Sequence, residues 1–580
     1  MNTRQMHTLC RESLSLPAVL LIFGGACSAQ SVPAGIVRHV SPAPLPGIPA
    51  SRQFRTINTA AQTVRPGDTV VIHAGVYRES VTITTSGTAD RPIRFEAAPA
   101  ASVVVTGADR LTVAKEPGKD SIFSAKWPHS FLDDKPGYAY PEGDANLLIG
   151  RCEQVFVRDY PLHQVLRRDQ LGRGTFFADL GAKRLYLRSA DDADLSSAEV
   201  SVTASARPVL WNCTGAYVTV HGLRFRFAAN AAQQGAAQFS GQSDTVEDCV
   251  FEDTNALSAA FLAPDQVVRR CTFRNNGQMG FGAVRANRLL MTDCVVQNNN
   301  TKGFDRGFEA GGGKTVLTRG AVFDRCRVLD NRGVGLWFDI GNEACTVSHC
   351  LLSGNEDAGL FYEISYGLHA SDNVAAGNGL AETPGAWGGQ AGISLSSSPG
   401  CVVERNLLAG NREGFALREQ ERTTPRIGTP EGGPEVPVWN HDEIIRNNVL
   451  ADNRDAAVWG WFDGDDERQW PRALQQNKHK PGDLSLETLK LTFQSNLYTA
   501  SDGQDLFHWG TDWRRHRYYS DLPTLSKELG LEQNSAVLPL LFADPAALDY
   551  RVPAGSPALE RGCYPLGSVP GVLLGVKGGH

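Results

Sequence analysis

A short run of alternating apolar and polar residues recurs along the middle of the chain, each time after a Cys or an Asn. The leads of these runs are Cys249, Cys271, Cys294, Cys326, Cys350, Asn373, Asn406 and Asn448. Most leads lie 22 to 24 residues apart, and steps of 32, 33 and 42 residues indicate loops inserted into a coil. A period in the low twenties predicts stacked β-coils that share one core. The expected fold is all-β, a right-handed parallel β-helix (a solenoid).

Two residue types mark the repeat and predict how each coil is held. The Cys series is expected to form an internal ladder of free, buried thiols rather than disulfides. A second series is expected to turn the chain at the corners, because Asn tolerates left-handed backbone geometry. Its members are Asn299, Asn331, Asn355, Asn378, Asn411 and Asn453.

A second strand is predicted about nine residues after each lead, as in 335–339 (GLWFD) and 359–363 (GLFYE). Side chains alternate between the two faces of a strand, so Leu336 and Phe338 should point inward and Asp339 outward. Asp339 and Glu363 fall at the same step of successive coils. They are therefore expected to be lateral neighbours, ~5 Å apart, on an exposed sheet surface.

Aromatic and charged residues are expected to surround this pair and to bind substrate. They are Asp305, Glu309, Lys314, Trp337, Phe361, Tyr366, His369, Arg418, Trp459 and Trp461. Repulsion between neighbouring carboxylates is unfavourable, so such a pair indicates a function, a metal or another cation that requires it. Aromatic faces are common platforms for sugar rings, so the expected partner is a polysaccharide or an oligosaccharide.

The expected spacing of the two acids matches the ~5–5.5 Å of retaining glycoside hydrolysis. The simpler alternative is a pair of solvated strand residues at a corner. The acidic run 463–467 (DGDDE) could bind calcium, although it lacks the spaced ligands of an EF-hand and an ordinary solvated loop is the alternative. No zinc spacing, phosphate loop or dinucleotide motif occurs, so no organic cofactor and no other metal is expected.

The repeat and the regions outside it predict six segments along the chain. We expect a signal peptide at 1–29, an N-terminal cap with the first coils at 30–109, and a β-rich insertion at 110–205. The main β-helix with the site should span 206–463, a partly helical insertion 464–535, and the last coils 536–580. Within them, 57–63 predicts a capping helix, 175–188 a hairpin, and 484–491 and 522–529 short helices.

The first residues predict export to the periplasm or the exterior. Arg4 and Arg11 precede an apolar stretch, 14–23, and small residues follow it. Cys27 offers an alternative, a lipid anchor. No later segment approaches the ~20 apolar residues of a membrane span. The net charge of −7 gives no basic surface for nucleic acid.

Two phrases carry a resemblance to a known family. Residues 335–339 (GLWFD) and 359–366 (GLFYEISY) resemble those of family 120 glycoside hydrolases, β-xylosidases built on a β-helix with an inserted β-sandwich. The resemblance implies that Asp339 is the nucleophile and Glu363 the acid/base. Xylose specificity is not implied, because the surrounding pocket residues cannot be matched. The expected function is a secreted, retaining glycoside hydrolase acting on a plant or microbial glycan.

Two alternatives remain open. Residues 309–314 (EAGGGK) are similar to the calcium ligand and Lys base of family-six polysaccharide lyases, which act by β-elimination on uronate-containing glycans. However, Asp339 stands where those lyases need Arg, and Arg418 lies coils away. The second alternative is a β-helix that binds glycans without catalysis.

Overall fold

The computed structural model describes residues 35–577, except 120, 131–143, 308, 383–389, 420–421, 431–432, 462–488, 500–503 and 511–516. The predicted export signal with Cys27, the acidic run 463–467 and most of the helix predicted at 484–491 lie outside the described residues. Within them, no helix has the length and apolar character that crossing a bilayer requires.

Three long sheets, here named A, B and C, run along the body, and each coil passes through C, A and B in turn. Sheet A contains Gln53–Phe54, Val37–Val40, Thr69–Ile72, Ile93–Ala97, Val218–His221, Thr245–Glu247, Val267–Arg269, Leu290–Thr292, Val322–Asp324, Thr346–Ser348, His369–Ser371, Val402–Glu404, Ile444–Arg446 and Thr492–Gln494. Sheet B contains Gly75–Tyr77, Val103–Thr106, Arg224–Arg226, Val250–Glu252, Thr272–Arg274, Val295–Gln297, Arg327–Leu329, Leu351–Ser353, Val374–Ala376, Leu407–Ala409, Val449–Ala451, Leu497–Thr499 and Ala536–Val537.

Sheet C carries the candidate site. It contains Val81–Ile83, Trp211–Cys213, Ala237–Phe239, Leu257–Phe261, Met279–Val284, Gly311–Val316, Val334–Asp339, Leu360–Glu363, Ala391–Ser396, Glu413–Arg418, Ala456–Trp461, Phe507–Gly510 and Arg517–Tyr519. Neighbouring strands are parallel except for the last two, which are antiparallel. Parallel strands from successive coils, repeated along three sheets, confirm the predicted parallel β-helix.

Two ladders of like residues line the interior. All ten described cysteines are free and buried, and among them are the five of the predicted ladder, Cys249, Cys271, Cys294, Cys326 and Cys350. The Asn series is also buried, and each side-chain Nδ2 donates to the Oδ1 of the next member, for example Asn331 to Asn355 at 2.9 Å. The predicted turning role is wrong, because the left-handed residue is the one before each Asn, such as Asp330 (φ 52°). Inside the coil, the amide gains more from the continuous hydrogen-bond ladder than it would at a solvated turn.

An insertion at 108–205 forms two sheets with a core of their own. One sheet contains His163–Val165, Thr175–Asp179, Arg184–Arg188, Phe123–Lys126 and Ala114–Lys115; the other contains Tyr160–Pro161, Val155–Val157, Val202–Ser205 and Ala108–Arg110. The predicted hairpin is present, with Thr175–Asp179 antiparallel to Arg184–Arg188. A further hairpin, Arg422–Thr424 with Val436–Val438, leaves the coil after sheet C.

Helices are few and short in the described residues. The α-helices are Ile57–Ala61, Asp144–Ile149, Leu522–Leu529 and Pro557–Glu560, and the 3₁₀-helices are Ala50–Arg52, Arg168–Gln170 and Pro545–Ala547. The first occupies the position predicted for the cap, where Thr56 accepts a hydrogen bond from the Thr59 amide. The helix predicted at 522–529 is also present, with Asp521 as its N-cap and Gly530 ending it.

Candidate active site on the outer face of sheet C

Asp339 and Glu363 end neighbouring parallel strands of sheet C. Phe338 pairs with Tyr362 in the register, so the residues that follow them lie side by side. Phe338 and Tyr362 belong to the main core, and the intervening alternation therefore turns both carboxyls to the outer face. Strand spacing sets their backbones about 4.8 Å apart.

A glycine in each coil makes this strand arrangement possible. At Gly335, a Cβ would lie 2.6 Å from the carbonyl oxygen of Gly359 and 2.9 Å from Nδ2 of Asn355. The same clash with the Asn ladder recurs at Gly359 and Gly392. Only glycine fits here, because the strand passes directly over the ladder. The glycine–asparagine contact thus fixes the start of the strand that ends at Asp339.

Lys314 ties the acids of two coils together. Its Nζ lies 2.9 Å from Oδ2 of Asp339 and 3.3 Å from Oε1 of Glu309, and it also lies 4.3 Å from the centre of the Trp337 ring. Burial alone lowers the pKa of Lys314, but the carboxylates of Asp339 and Glu309 outweigh it and the pKa is raised. Lys314 therefore carries a positive charge against Asp339.

Glu363 is held in a different way. Its Oε2 accepts a hydrogen bond from Nε1 of Trp337 at 3.1 Å, and its Oε1 accepts one from Arg422 at 2.5 Å. Burial and the neighbouring charge of Asp339 raise the pKa of Glu363 to about 7, although Arg422 and Lys314 act in the opposite direction. At neutral pH this carboxyl therefore carries a proton in a large fraction of molecules.

The pair is covered, which differs from the predicted exposed surface. Asp339 is 7% exposed and Glu363 5%. Trp337 and Phe361, with ring centres 5.6 Å apart, form a small apolar cluster with Val334 and Ala358 on this outer face. The prediction of exposure is wrong because it treated the sheet alone, without the segments that pack over it.

Arg422 is a residue of the site that sequence reasoning missed. It begins the hairpin Arg422–Thr424/Val436–Val438, whose next turn docks at Glu343 through Arg426 at 2.9 Å. Nothing in the repeat points to Arg422, because it lies in an insertion with no counterpart in other coils. In the sequence, the only indication of its role is that a basic residue follows shortly after a strand of sheet C.

Three predicted residues lie further along the same outer face. Arg418 shares the row of Glu363, with Ser396 between them in the register. Its guanidinium stacks over the ring of Trp459 at 3.7 Å and pairs with Glu413 at 3.0 Å. Trp461 follows in the register, with its ring centre 6.4 Å from that of Trp459. These residues form a second group, two to three coils from Glu363.

The remaining predicted residues have separate surroundings. Asp305 is exposed, and its Oδ1 accepts a hydrogen bond from the Gly307 amide in a turn. Tyr366 lies under the Arg426 guanidinium, 4.1 Å from the ring centre. His369 is on sheet A, where it lies 3.2 Å from Glu404 on the next coil. The structure therefore brings Glu309, Lys314, Trp337 and Phe361 to the acid pair, and not Asp305 or His369.

The described residues contain no group of three or more His, Cys, Asp or Glu side chains arranged to hold a metal ion. Glu309, the residue similar to the calcium ligand of the lyases, and Asp339 both contact the Lys314 ammonium. A lysine thus provides the positive charge between these carboxylates.

Comparisons with known proteins agree with the architecture. Residues 208–408 match the family model described as the right handed beta helix region. No curated protein matches the chain. The solved complex of XylC with xylose is similar at 17% identity, over 82% of this chain and 86% of that one, with a TM-score of 0.60.

Two further solved structures are similar over most of their length. One is described as a glycoside hydrolase, with 11% identity over 86% of this chain and 96% of that one and a TM-score of 0.42. The other is the PL6 family polysaccharide lyase Pedsa3628 from Pseudopedobacter saltans, with 13% identity, coverage of 87% and 92%, and a TM-score of 0.41. Together with the sheet topology, the family match identifies the fold as a right-handed parallel β-helix.

Proposed function

We propose that this protein is a carbohydrate-active enzyme, and specifically a retaining glycoside hydrolase with Asp339 as nucleophile and Glu363 as acid/base. One observation carries the proposal: two carboxyls lie side by side in unequal environments. Asp339 contacts an ammonium group at 2.9 Å, whereas burial and its neighbour raise the pKa of Glu363 to about 7. Carboxyl pairs whose surroundings separate their protonation states are typical of acid/base assignments.

The proposed reaction has two steps. The Asp339 carboxylate attacks the anomeric carbon while the bond to the leaving oxygen breaks, and Glu363 donates its proton to that oxygen. A water molecule then attacks the anomeric carbon of the covalent intermediate, Glu363 takes its proton, and the bond to Asp339 breaks. The overall change is the addition of water with retention of configuration.

The surroundings of Asp339 suit a nucleophile. Its Oδ2 pairs with the Lys314 ammonium, and its Oδ1 is buried without a hydrogen-bond partner among the described residues. An oxygen without such a partner keeps its lone pairs free of competing hydrogen bonds to the described residues. Exclusion of water around the pair strengthens the electrostatic interactions within it.

A lyase mechanism is less well supported. The base of a lyase must be deprotonated, whereas the pKa of Lys314 is raised by its two carboxylate neighbours. Arg418, the nearest predicted acid for that mechanism, is paired with Glu413 and stacked on Trp459. These contacts support hydrolysis over β-elimination.

The test is a panel of aryl glycosides and oligosaccharides, with products analysed by mass, by ultraviolet absorbance and by NMR of the first-formed anomer. We expect products heavier by one water per cleavage, with no unsaturated uronate and with retained configuration. A 2-deoxy-2-fluoro glycoside should label Asp339 covalently in the wild type and not in Asp339→Asn. Inverted products, or label on another residue, would overturn the assignment; unchanged binding without turnover would favour a non-catalytic glycan-binding protein.

A further inference from the structure

Glu363 has its two side-chain oxygens occupied by donors from different parts of the molecule. Trp337 donates to Oε2 from the neighbouring coil, and Arg422 donates to Oε1 from the hairpin insertion. A proton donor must approach the leaving oxygen to within hydrogen-bond distance. The leaving oxygen of a substrate that approaches either side-chain oxygen meets a donor already in contact with it.

The two donors differ in how firmly they are held. Trp337 is 7% exposed, and its ring packs between Phe361 and the Lys314 ammonium. The Arg422 side chain is 30% exposed and comes from outside the stacked coils. Displacing Trp337 would disrupt the cluster on sheet C, whereas Arg422 can turn toward solvent. Arg422 is thus the contact that can be exchanged.

We propose that Arg422 is a positioning residue that holds Glu363 in the unliganded protein. When a glycoside binds, the leaving oxygen replaces Arg422 as the hydrogen-bond partner of Glu363. The inference rests on the proposed role of Glu363 as acid/base. Substrate binding then removes a cation from the proton donor at the moment when that donor must be protonated. The protonated form of Glu363 is consequently stabilised only when a substrate is present.

The charges around Glu363 determine the direction in which this exchange shifts its pKa. Asp339 raises its pKa, whereas Arg422 and Lys314 lower it, and burial is the largest contribution. Loss of the Arg422 contact leaves Asp339 and burial opposed by Lys314 alone, so the pKa of Glu363 must rise. The pKa seen in the enzyme–substrate complex should therefore exceed that of the free enzyme.

The experiment compares pH profiles of kcat/KM, which report the free enzyme, with those of kcat, which report the complex. In the wild type we expect the alkaline limb of kcat at higher pH than that of kcat/KM. In Arg422→Met the limb of kcat/KM should move up to coincide with that of kcat. Coincident limbs in the wild type, or an Arg422→Met profile that does not move, would contradict the exchange.

Arg426→Met is the matched control. Arg426 follows the same strand and pairs with a different carboxylate, Glu343, at 2.9 Å, so its loss removes one cation of the hairpin and leaves the Arg422–Glu363 contact in place. Its profiles should match the wild type. An equal shift in both variants would show that the hairpin acts structurally and would overturn the role of Arg422.

An infrared titration of the unliganded protein separates this inference from the proposed function. The carboxyl band lost in Glu363→Gln should titrate at higher pH in Arg422→Met than in the wild type, whether or not any glycan is cleaved. An unchanged titration would refute the coupling even in an active hydrolase. A shifted titration without any turnover would support the Arg422–Glu363 coupling and would contradict its role in catalysis.

Discussion

The indole Nε1 of Trp337 donates a hydrogen bond of 3.1 Å to Oε2 of Glu363 across two neighbouring coils. The same indole ring receives the Lys314 ammonium on its face, at 4.3 Å from the ring centre. One aromatic side chain thus contacts both the cation that pairs with Asp339 and the carboxyl proposed as acid. Its orientation couples the two halves of the site.

The first prediction concerns pH. Burial and Asp339 raise the pKa of Glu363 to about 7, and an acid catalyst is active only while protonated. We therefore expect kcat/KM to fall as pH rises through about 7. Glu363→Gln should lose this alkaline limb, with a loss of roughly 10²–10⁴-fold on poor leaving groups and much less on activated aryl glycosides. A limb that persists in the variant would assign the titration to another group.

The second prediction concerns Lys314→Met. Removing the ammonium leaves the buried Asp339 carboxylate, and the Glu309 carboxylate beside it, without this cation. Loss of one partner of a buried pair costs about 3–5 kcal/mol in the free energy of unfolding. The cost should shrink in acid, where a carboxyl can be neutralised by protonation. Urea unfolding at neutral and acidic pH measures it, and an equal cost at both values would contradict the electrostatic origin.

The third prediction concerns the glycine over the Asn ladder. Gly335→Ala places a methyl group 2.6 Å from the Gly359 oxygen, so we expect a loss of about 1–3 kcal/mol. Gly181→Ala is the control, because the nearest atom to its Cβ would lie 3.7 Å away. The control should change stability by less than about 0.5 kcal/mol. Thermal unfolding of both variants provides the comparison.

The fourth prediction concerns the thiols. The ten described cysteines are buried, and burial raises the pKa of Cys345 to about 12. A buried structural thiol is out of reach of an alkylating reagent, so the native protein should resist alkylation at these positions and react at all of them after unfolding. Peptide mapping by mass spectrometry measures the labelling. Native labelling of Cys326 or Cys350 at the rate of a free thiol would show that the ladder is open.

Much of the site follows from the repeat. The constant step between each lead residue and the second strand predicts that Asp339 and Glu363 are neighbours, and the observed register pairs the residues just before them, Phe338 and Tyr362. Alternation along a strand separates Phe338, which is in the core, from Asp339, which is not. Such relations are local and periodic, and stacking of successive coils converts them directly into lateral contacts.

The alternation fails where the strands end. A strict alternation would also turn Ile340 and Ile364 inward, yet both have left-handed backbone, with φ of 61° and 37°, and neither joins the main core. The chain turns immediately after each acid, and the period of two no longer applies. The turn is what leaves the carboxyls at the strand ends.

The repeat pattern alone is enough to predict the solenoid, the buried cysteine ladder and the adjacency of the two acids, because these depend on a short period repeated coil after coil. Three features emerge only in the folded chain: the pair is covered, Arg422 contacts Glu363, and the buried asparagines bond to one another. Arg422 lies 59 positions from Glu363 and belongs to an insertion present once. Contacts made by such a segment depend on how it folds back over the coils, and no periodic pattern records that.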